Sequence, residues 1–238
     1  MDKKKNGKKS EKNNNYKNKN FYSIKFIVIG DQSVGKTNII RRFAKNEFSN
    51  EYFITIGMDF LSYNIEINNR VFNIQLWDTA GSERFRSVTK GYFSNSACAI
   101  IVYDITNTKS FNSIKDWVEE CKLYTNNNIH LVLVGNKNDL KEQREISKEE
   151  GEEFAAQNGM YFFEASALTG ENIENIFVES CTKISENIDN NVYNLEDPSN
   201  GIKKCKMEED MVIGKKYGFQ LETENNLENE KMAKSQCC

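Results

Sequence analysis

Histidine and closely paired cysteines are scarce in this chain. Its 238 residues include a single histidine, His130, and the six cysteines form no Cys-x-x-Cys pair, with only Cys237 and Cys238 adjacent. This pattern indicates neither a disulfide framework nor a zinc site, and a reducing compartment fits it best. Because no second histidine or cysteine lies near His130, we expect an ordinary surface residue there and not a general base.

Long apolar runs and a strong excess of one charge are missing too. The longest apolar stretches, such as residues 97–103, fall far short of the roughly 18 residues that a membrane-spanning helix needs. The N-terminus lacks the apolar region of a signal peptide, so we expect a protein that neither spans a membrane nor is secreted. With 32 Lys and Arg against 35 Asp and Glu, the formal net charge of −3 argues against a nucleic-acid binder.

Composition divides the chain into three parts. Residues 1–20 carry eight Lys and six Asn against two acidic residues, which predicts a disordered basic arm. This arm is either a contact for anionic lipid or a partner, or a compositional bias without a role. Residues 21–188 indicate one domain. Apolar periodicity then fades and the only proline occurs at Pro198, so residues 189–238 are predicted to form a flexible tail.

The domain alternates short apolar runs with helical segments. The runs are rich in Ile, Val and Phe, which is typical of buried parallel strands. Strands are predicted at residues 24–29, 59–67, 71–77, 97–103, 131–135 and 161–165, and helices at 37–44, 110–124, 148–157 and 172–188. Asn68 and Asn69 are predicted to form a hairpin turn. The sequence therefore predicts a single α/β domain, with a mostly parallel six-stranded sheet and helices on both faces.

The first chemical motif lies between a predicted strand and a predicted helix. Residues 30–37, Gly-Asp-Gln-Ser-Val-Gly-Lys-Thr, match the pattern GxxxxGK[ST] of a P-loop. In such a loop the backbone N–H groups and the helix N-terminus bind phosphate oxygens. We expect Lys36 to reach the β- and γ-phosphates and the Thr37 hydroxyl to bind Mg²⁺. A chance match is expected in roughly 1 in 100 chains of this length.

A second motif, Asp78-Thr79-Ala80-Gly81, follows the predicted strand at residues 71–77. Its position puts a carboxylate at the carboxyl end of a sheet, where open α/β folds bind their ligands. Asp78 is therefore the predicted second protein partner of Mg²⁺. Taken alone, it would be a solvated carboxylate at a strand end.

The third motif, Asn136-Lys137-Asn138-Asp139, follows the predicted strand at residues 131–135. A carboxylate can accept hydrogen bonds from both N1–H and the exocyclic amino group of guanine, whereas adenine offers no such donor pair. We therefore expect Asp139 to select guanine, Asn136 to brace the loop and contact the base, and the Lys137 stem to lie over the ring. A surface turn is the alternative for the motif in isolation.

These motifs together resemble a known superfamily. GDQSVGKT, TIGMDF, WDTAGSERF, NKND and EASAL, in this order, resemble the small GTPases of the Ras superfamily over residues 24–188, with the Rab family most similar. Rab-like features include residues 56–60, Trp77 before the second motif, and the terminal Cys237 and Cys238. The resemblance implies the P-loop GTPase fold, GTP or GDP as ligand and Mg²⁺ as cofactor.

The resemblance also implies roles for single residues. Thr55 is implied to bind Mg²⁺ and the γ-phosphate, and the Gly81 N–H to touch the γ-phosphate, so that phosphate loss releases both segments. The Phe48 ring is implied to pack on guanine. The implied nucleotide-binding set is Asp31, Gln32, Ser33, Val34, Gly35, Lys36, Thr37, Phe48, Thr55, Gly81, Asn136, Lys137, Asp139, Ser166, Ala167 and Leu168. Leu168 stands where many members have Lys.

Four positions match those that Rab-like proteins turn toward effectors. They are Ile56, Phe60, Trp77 and Tyr92. Core packing is the alternative role for the aromatic members, Trp77 above all.

Two departures from the family pattern matter, a single residue and a five-residue stretch. The catalytic residues implied by the resemblance are Lys36, Thr55, Gly81 and Ser82, but Ser82 stands where the family usually has Gln. Gln orients the attacking water, and Ser is too short to do so alone, so slow intrinsic hydrolysis is expected. Ordinary cycling with a tolerated Ser82 is the alternative, because Rab-type activators bring their own glutamine and arginine finger. The second departure, residues 92–96, concerns partner identity.

The C-terminal Cys237 and Cys238 resemble acceptors of two geranylgeranyl groups. One lipid chain gives a protein marginal membrane binding, and two give stable anchoring. The alternative is two unpaired, exposed thiols, which soluble proteins tend to avoid. The resemblance implies a monomer on the cytosolic face of an endomembrane compartment, with a cytosolic extracted pool. Its implied partners are an exchange factor, a GTPase-activating protein, a prenylation escort, an extraction factor and effectors. Nucleic acid is not expected as a partner.

Two other functions compete with that of a cycling switch in vesicle trafficking. The first is a GTP-locked, membrane-anchored binding module in which Ser82 makes hydrolysis negligible. The second is a P-loop ATPase or nucleoside kinase, which Asp139 disfavours.

Overall fold

The computed structural model describes residues 19–50, 55, 58–81 and 90–205. Strands in these residues form one seven-stranded sheet. They are β1 (Asn20–Ile29), β2 (Met58–Ile67), β3 (Arg70–Thr79), β4 (Cys98–Asp104), β5 (His130–Asn136), β6 (Tyr161–Glu164) and β7 (Ile202–Cys205). The order is β2-β3-β1-β4-β5-β6, and β7 pairs with β1. The β2–β3 pair is antiparallel, and the other four neighbouring pairs in that order are parallel.

The antiparallel pair is a hairpin closed by Asn68 and Asn69. Both residues adopt left-handed backbone conformations, with φ of 49° and 62°. Asparagine tolerates this conformation better than most residues, and two such residues in succession match the twist of the flanking strands. The predicted turn is therefore where the structure has it.

Within the described residues, five α-helices connect the strands. They are α1 (Lys36–Lys45), α2 (Thr108–Asn112), α3 (Ile114–Tyr124), α4 (Lys148–Asn158) and α5 (Ile173–Asp189). The sequence predicted a single helix at residues 110–124, but the structure has two there. Where α2 ends and α3 begins, the hydroxyl and the backbone N–H of Ser113 both donate to the carbonyl oxygen of Lys109, at 3.0 and 3.1 Å.

The apolar side chains form two cores, one on each face of the sheet. On one face β1 and β3 pack against α1 and α5, with Phe26, Ile39 and Phe177 fully buried. On the other face β4 and β5 pack against α3 and α4, with Ile101, Trp117 and Ala155 in the core. Helices thus cover both faces, and the predicted fold class is confirmed.

The folded region extends further than predicted. The sequence placed a flexible tail from residue 189, but residues 190–205 continue with a short 3₁₀ helix (Pro198–Asn200) and β7. Tyr193 and Ile202 are 5% and 2% exposed and join the core on the α1 side of the sheet. The prediction failed because these isolated apolar residues follow no regular period. They are buried by packing against strands and helices that lie earlier in the sequence. The part of the chain that the structure describes therefore forms a sheet of seven strands and not six.

His130 is also not where the sequence placed it. It is the first residue of β5 and is buried, and its ring lies 4.7 Å from that of Tyr161. Burial, with a smaller contribution from the charge of Lys183, lowers the pKa of His130 to about 4. The prediction of a surface position was wrong because residues of the neighbouring strands, Tyr161 among them, cover this first residue of β5.

The N-terminal arm and the distal tail fall largely outside the described residues. Of residues 1–20, the structure describes Lys19, which forms an ion pair with Glu66, and Asn20, which begins β1. In the described parts of the chain, no helix is long and apolar enough to cross a membrane.

Candidate nucleotide and magnesium site

The P-loop joins β1 to α1 and curls through unusual backbone conformations. Gly30, Ser33 and Gly35 have φ of 138°, 67° and 99°. A Cβ on Gly35 would lie 2.3 Å from the Asn136 amide nitrogen, so this position needs glycine for space as well as for its backbone. The first turn of α1 contains no acidic residue, which leaves the positive end of the helix free to favour an anion.

Lys36 is held inside this loop. Its Nζ donates to the carbonyl oxygens of Gly30 and Asp31 at 2.9 and 2.7 Å, and the residue is 6% exposed. Burial lowers the pKa of Lys36 to about 8, although the charges of Asp78 and Asp31 oppose that shift. An ammonium group oriented in this way can exchange these carbonyl acceptors for phosphate oxygens without leaving the loop.

Three predicted metal ligands meet beside Lys36. The Thr37 hydroxyl donates to Oδ2 of Asp78 at 2.6 Å, and the Thr55 hydroxyl donates to the same oxygen at 3.4 Å. The two hydroxyl oxygens lie 3.1 Å apart. Thr37 is the second residue of α1, and Asp78 lies near the end of β3. Elements distant in sequence therefore supply one cluster of oxygen atoms.

The residues of this cluster fit a magnesium ion. Oδ1 of Asp78 is buried and has no hydrogen-bond partner among the described residues. Burial raises the pKa of Asp78, against hydrogen bonds from Thr37 and the charge of Lys36. A buried carboxylate oxygen without a donor is costly, and a hard cation that prefers oxygen ligands would satisfy it. Thr37, Thr55 and Asp78 are therefore the residues that would hold Mg²⁺.

Gly81 lies against the P-loop. A Cβ at this position would come within 2.3 Å of Lys36 Nζ and 2.5 Å of the carbonyl oxygen of Asp31. The chain after β3 thus approaches Lys36 so closely that any side chain at position 81 would displace the lysine ammonium group or the backbone of Asp31. The Gly81 backbone therefore lies beside Lys36, next to the position that a terminal phosphate bound by this lysine would take.

Asn136 connects the P-loop to a second loop. It is the last residue of β5 and is 1% exposed. Its amide nitrogen donates to the carbonyl oxygen of Val34 at 2.8 Å, and its side-chain oxygen accepts from the Ala167 N–H at 3.2 Å. One side chain therefore fixes the distance between the phosphate-binding loop and the loop that follows β6.

The Asp139 carboxylate faces that second loop. Its Oδ1 accepts a hydrogen bond from the Ser166 hydroxyl at 2.5 Å. Lys137 has a left-handed backbone, with φ of 68°, and its Nζ pairs with Oδ2 of Asp104 at 2.5 Å. Asp139, Lys137, Ser166 and Asn136 are thus brought together at the carboxyl ends of β5 and β6.

Phe48 and Leu168 complete the predicted nucleotide set. Phe48 is partly buried and packs against the α1 side of the core, and Leu168 is 47% exposed. Arg42, which the sequence analysis did not single out, donates to the carbonyl oxygens of Ala167 and Leu168 at 2.9 and 2.8 Å. The 167–168 loop is therefore fixed by α1 as well as by Asn136.

A family model described as the Ras family matches residues 25–186, which is more than half of the chain. This chain belongs to the Ras family. Its domain is that of a small GTPase switch, and Ras-family proteins generally bind GTP or GDP with Mg²⁺, hydrolyse GTP, and interact with exchange factors, activators and effectors.

Three predicted effector-facing residues lie in one row on this Ras-family domain. Phe60 and Trp77 meet edge to face with ring centroids 5.8 Å apart, and Tyr92 lies 5.9 Å from Trp77. Phe60 is 42% exposed, and the other two are partly buried. We call Phe60, Trp77 and Tyr92 the aromatic row.

Four predicted residues lie outside the described part of the chain. These are Ser82, Ile56, Cys237 and Cys238. Their predicted roles in hydrolysis, effector contact and lipidation therefore stay predictions.

Sequence reasoning missed Trp117 and Lys25 as well as Arg42. The indole Nε1 of Trp117, on α3, donates to Oδ1 of Asp31 at 2.8 Å and so ties the P-loop to the opposite face of the sheet. Lys25 contacts the backbone around Tyr92. The only available signals were a tryptophan on an amphipathic helix and a lysine within an apolar strand, and neither identifies its partner.

Proposed function

We propose that this protein is a Rab-like GTP/GDP switch that hydrolyses GTP to GDP and recruits effectors for intracellular vesicle trafficking. The observation that carries the proposal is the meeting of Thr37, Thr55 and Asp78 around one carboxylate oxygen. These residues come from the P-loop helix, the segment before β2 and the end of β3. A bound nucleotide with its metal would therefore act on three separate elements at once.

Each of the chain's own groups has a defined task in this mechanism. The P-loop N–H groups and Lys36 hold the phosphates, and bound Mg²⁺ would neutralise charge on them. The Thr55 hydroxyl and the Gly81 N–H bind the terminal phosphate. Once that phosphate is lost, neither contact is available, and the segments around Thr55 and Gly81 lose their common anchor.

Guanine selection rests on the loops after β5 and β6. Asp139 accepts the two donors of the base edge, and the Ser166 hydroxyl at 2.5 Å keeps its carboxylate oriented. Asn136 holds the base-binding loops at a set distance from the phosphates. Adenine would leave the Asp139 carboxylate without donors in this site, which disfavours an ATPase or nucleoside kinase.

The Rab assignment is supported by sequence and by the aromatic row. Trp77, Phe60 and Tyr92 are contiguous, and this gives partner proteins an apolar surface beside both nucleotide-sensing segments. Two geranylgeranyl groups on Cys237 and Cys238 would anchor the switch to the cytosolic face of an endomembrane compartment. An escort protein and an extraction factor would handle the lipidated chain.

Ser82 determines which of two functional variants applies. Without the usual Gln, the attacking water lacks its positioning amide, and intrinsic hydrolysis is slow. The cycling switch relies on an activating protein that supplies the missing groups. The alternative is a GTP-locked binding module that stays in its partner-binding state after GTP loading.

Single-turnover GTP hydrolysis by the full chain separates these possibilities. We expect Ser82→Gln to raise the intrinsic rate by about tenfold or more, and a Rab-type activator to accelerate both proteins. Ser87→Gln is the matched control and should leave the intrinsic rate unchanged. Tight GTP binding without turnover, even with the activator, would instead support the GTP-locked module. In a competition-binding experiment, displacement of the bound nucleotide by ATP but not by GTP would reject the guanine site.

A further inference from the structure

Lys25 is a charged residue inside the central strand of the sheet. It lies on β1 between the buried Ile24 and Phe26, and its side chain extends to the opposite face from theirs. On that face its Nζ donates to the carbonyl oxygens of Tyr92 and Ser94 at 2.7 and 2.8 Å. One ammonium group therefore bridges two carbonyls of the segment that leads into β4.

The bridged segment directly follows residues 82–89. It begins with a 3₁₀ helix (Lys90–Tyr92), whose last carbonyl is one of the two that Lys25 binds. The Lys25 ammonium therefore satisfies the carbonyl at the C-terminal end of this short turn. Phe93, between the two bridged residues, is fully buried in the core. We call residues 90–94 the anchored segment.

Lys25 also touches the aromatic row. Its Nζ lies 4.1 Å from the centroid of the Trp77 ring, which is cation–π distance. The indole Nε1 of Trp77 is buried and has no hydrogen-bond partner among the described residues. The orientation of Trp77 is therefore set by its ring contacts, and Lys25 is the charged group among them.

We propose that Lys25 is a positioning residue that holds the anchored segment under Trp77 and thereby orients the aromatic row for partner proteins. It touches neither the P-loop nor the Thr37 and Asp78 cluster, so its effect would be on partner binding and not on nucleotide binding. The partner half of this inference rests on the proposed switch function. The structural half, that Lys25 joins Trp77 to the anchored segment, stands independently of it.

Burial of this lysine has a cost that its contacts must offset. Desolvation lowers the pKa of Lys25 to about 8. A lysine whose only task was solubility would extend into water and avoid that cost. Here three groups converge on the ammonium instead, the carbonyls of Tyr92 and Ser94 and the indole face of Trp77.

Hydrogen exchange of the full, GDP-loaded chain tests the structural half. We expect Lys25→Met to speed exchange of the Tyr92 to Ser96 amides by about tenfold or more, because the charge-assisted contacts are lost. Lys25→Arg should restore most of the protection, since a guanidinium can bridge the same carbonyls and stack on the indole. Lys115→Met, at an exposed position of α3, is the matched control. Unchanged exchange in folded Lys25→Met, or in Lys25→Gln if the Met variant does not fold, overturns the inference.

Activator-stimulated hydrolysis tests the partner half. For Lys25→Met we expect the KM for a Rab-type activator to rise about tenfold with kcat and GTP affinity unchanged, and Lys25→Arg to lower KM again. An unchanged KM, with faster exchange, overturns the partner half alone. If the activator fails to stimulate even the natural chain, the proposed switch function fails, and the exchange experiment still decides whether Lys25 holds the anchored segment.

Discussion

Asp78 illustrates how much one buried carboxylate does in this site. Its Oδ2 accepts from Thr37 at 2.6 Å, and its charge stabilises the protonated form of the neighbouring Lys36. Its Oδ1 has no partner within the described residues, which is expensive for a buried oxygen unless a cation completes the site. The same atoms that make the site costly without ligand therefore make it selective for a phosphate accompanied by a metal ion.

Asp139 provides a direct test of base recognition. We expect Asp139→Asn to weaken GTP binding by about a hundredfold, because an amide cannot accept both donors of guanine. Xanthine presents N1–H and a C2 carbonyl, which match the acceptor and donor of an amide, so affinity for XTP should rise. Competition binding with GTP, XTP and ATP measures both effects.

The control for this experiment is Asp116→Asn, at an exposed position of α3. It removes one negative charge from the same domain without touching the loops after β5 and β6. Equal loss of GTP affinity in both variants would contradict the assignment of Asp139 to the base.

His130 provides a test of burial through pH. Its folded pKa of about 4 lies below the unfolded value near 6.5, so the unfolded chain binds more protons between those values. The stability that depends on neutral His130 is complete above pH 6.5 and is lost as pH falls toward 4. We expect a loss of about 2 kcal/mol by pH 5 from this residue.

Urea unfolding at pH 7.5 and pH 5 measures that loss in the GDP-loaded protein. His130→Phe keeps an aromatic ring against Tyr161 but does not titrate, so its stability should fall less over the same interval. If both proteins lose the same stability, His130 is not the group responsible. Carboxylates that titrate in this range affect both proteins alike and cancel in the difference.

At the scale of elements, the segment after α5 belongs to the domain. Tyr193 and Ile202 are buried, and the Gly201 carbonyl oxygen accepts from the Lys25 N–H at 3.0 Å. Gly201 has a φ of 67°, and a Cβ there would lie 2.4 Å from the Ala97 nitrogen, so this turn requires glycine. β7 therefore begins directly after this turn and pairs with β1.

Truncation tests this boundary. A chain ending at residue 205 should unfold at the same temperature as the full chain. A chain ending at residue 188 should lose about 2 to 4 kcal/mol, because two buried apolar side chains, Tyr193 and Ile202, and a strand are removed. Thermal unfolding of both, loaded with GDP, measures the difference.

A point variant separates burial from chain length in this experiment. Ile202→Ala should destabilise the full chain by about 2 kcal/mol or more, whereas Val192→Ala, at a position 43% exposed, should change little. Equal stability of the two truncated chains would show that residues 189–205 contribute no net stabilisation.

At the scale of the whole molecule, the proposed attachment to a membrane concerns Cys237 and Cys238, which lie outside the described range. If Cys237 and Cys238 both carry geranylgeranyl groups, the doubly modified chain should sediment with phosphatidylcholine vesicles. Cys238→Ser should bind marginally and reversibly, and the double Ser variant should stay in solution. Cosedimentation after enzymatic prenylation measures this, with Cys205→Ser as a control that keeps both acceptors. Equal sedimentation of all four proteins would reject a lipid anchor at the chain end.

The sequence predicted which residues would lie together at one edge of the sheet better than it predicted where the domain ends. Lys36, Thr37, Asp78 and Asp139 were all identified because each motif lies at the end of an apolar strand, and parallel strands bring such ends to one edge of a sheet. His130 was misplaced, because its burial depends on Tyr161 and the neighbouring strands. Local pattern carries information about period and turns, but not about which distant surface covers a residue.

The sequence by itself determined the alternation of strands and helices, the P-loop, and the residue types that would hold a metal ion and a base. These depend on local spacing, glycine conformation and side-chain chemistry, all of which are present in the unfolded chain. Tertiary structure alone decided that β7 lies along β1, that Arg42 and Trp117 brace the nucleotide loops, and that Lys25 meets Trp77. These contacts join residues far apart along the chain, and they exist only after two faces of the sheet have been packed.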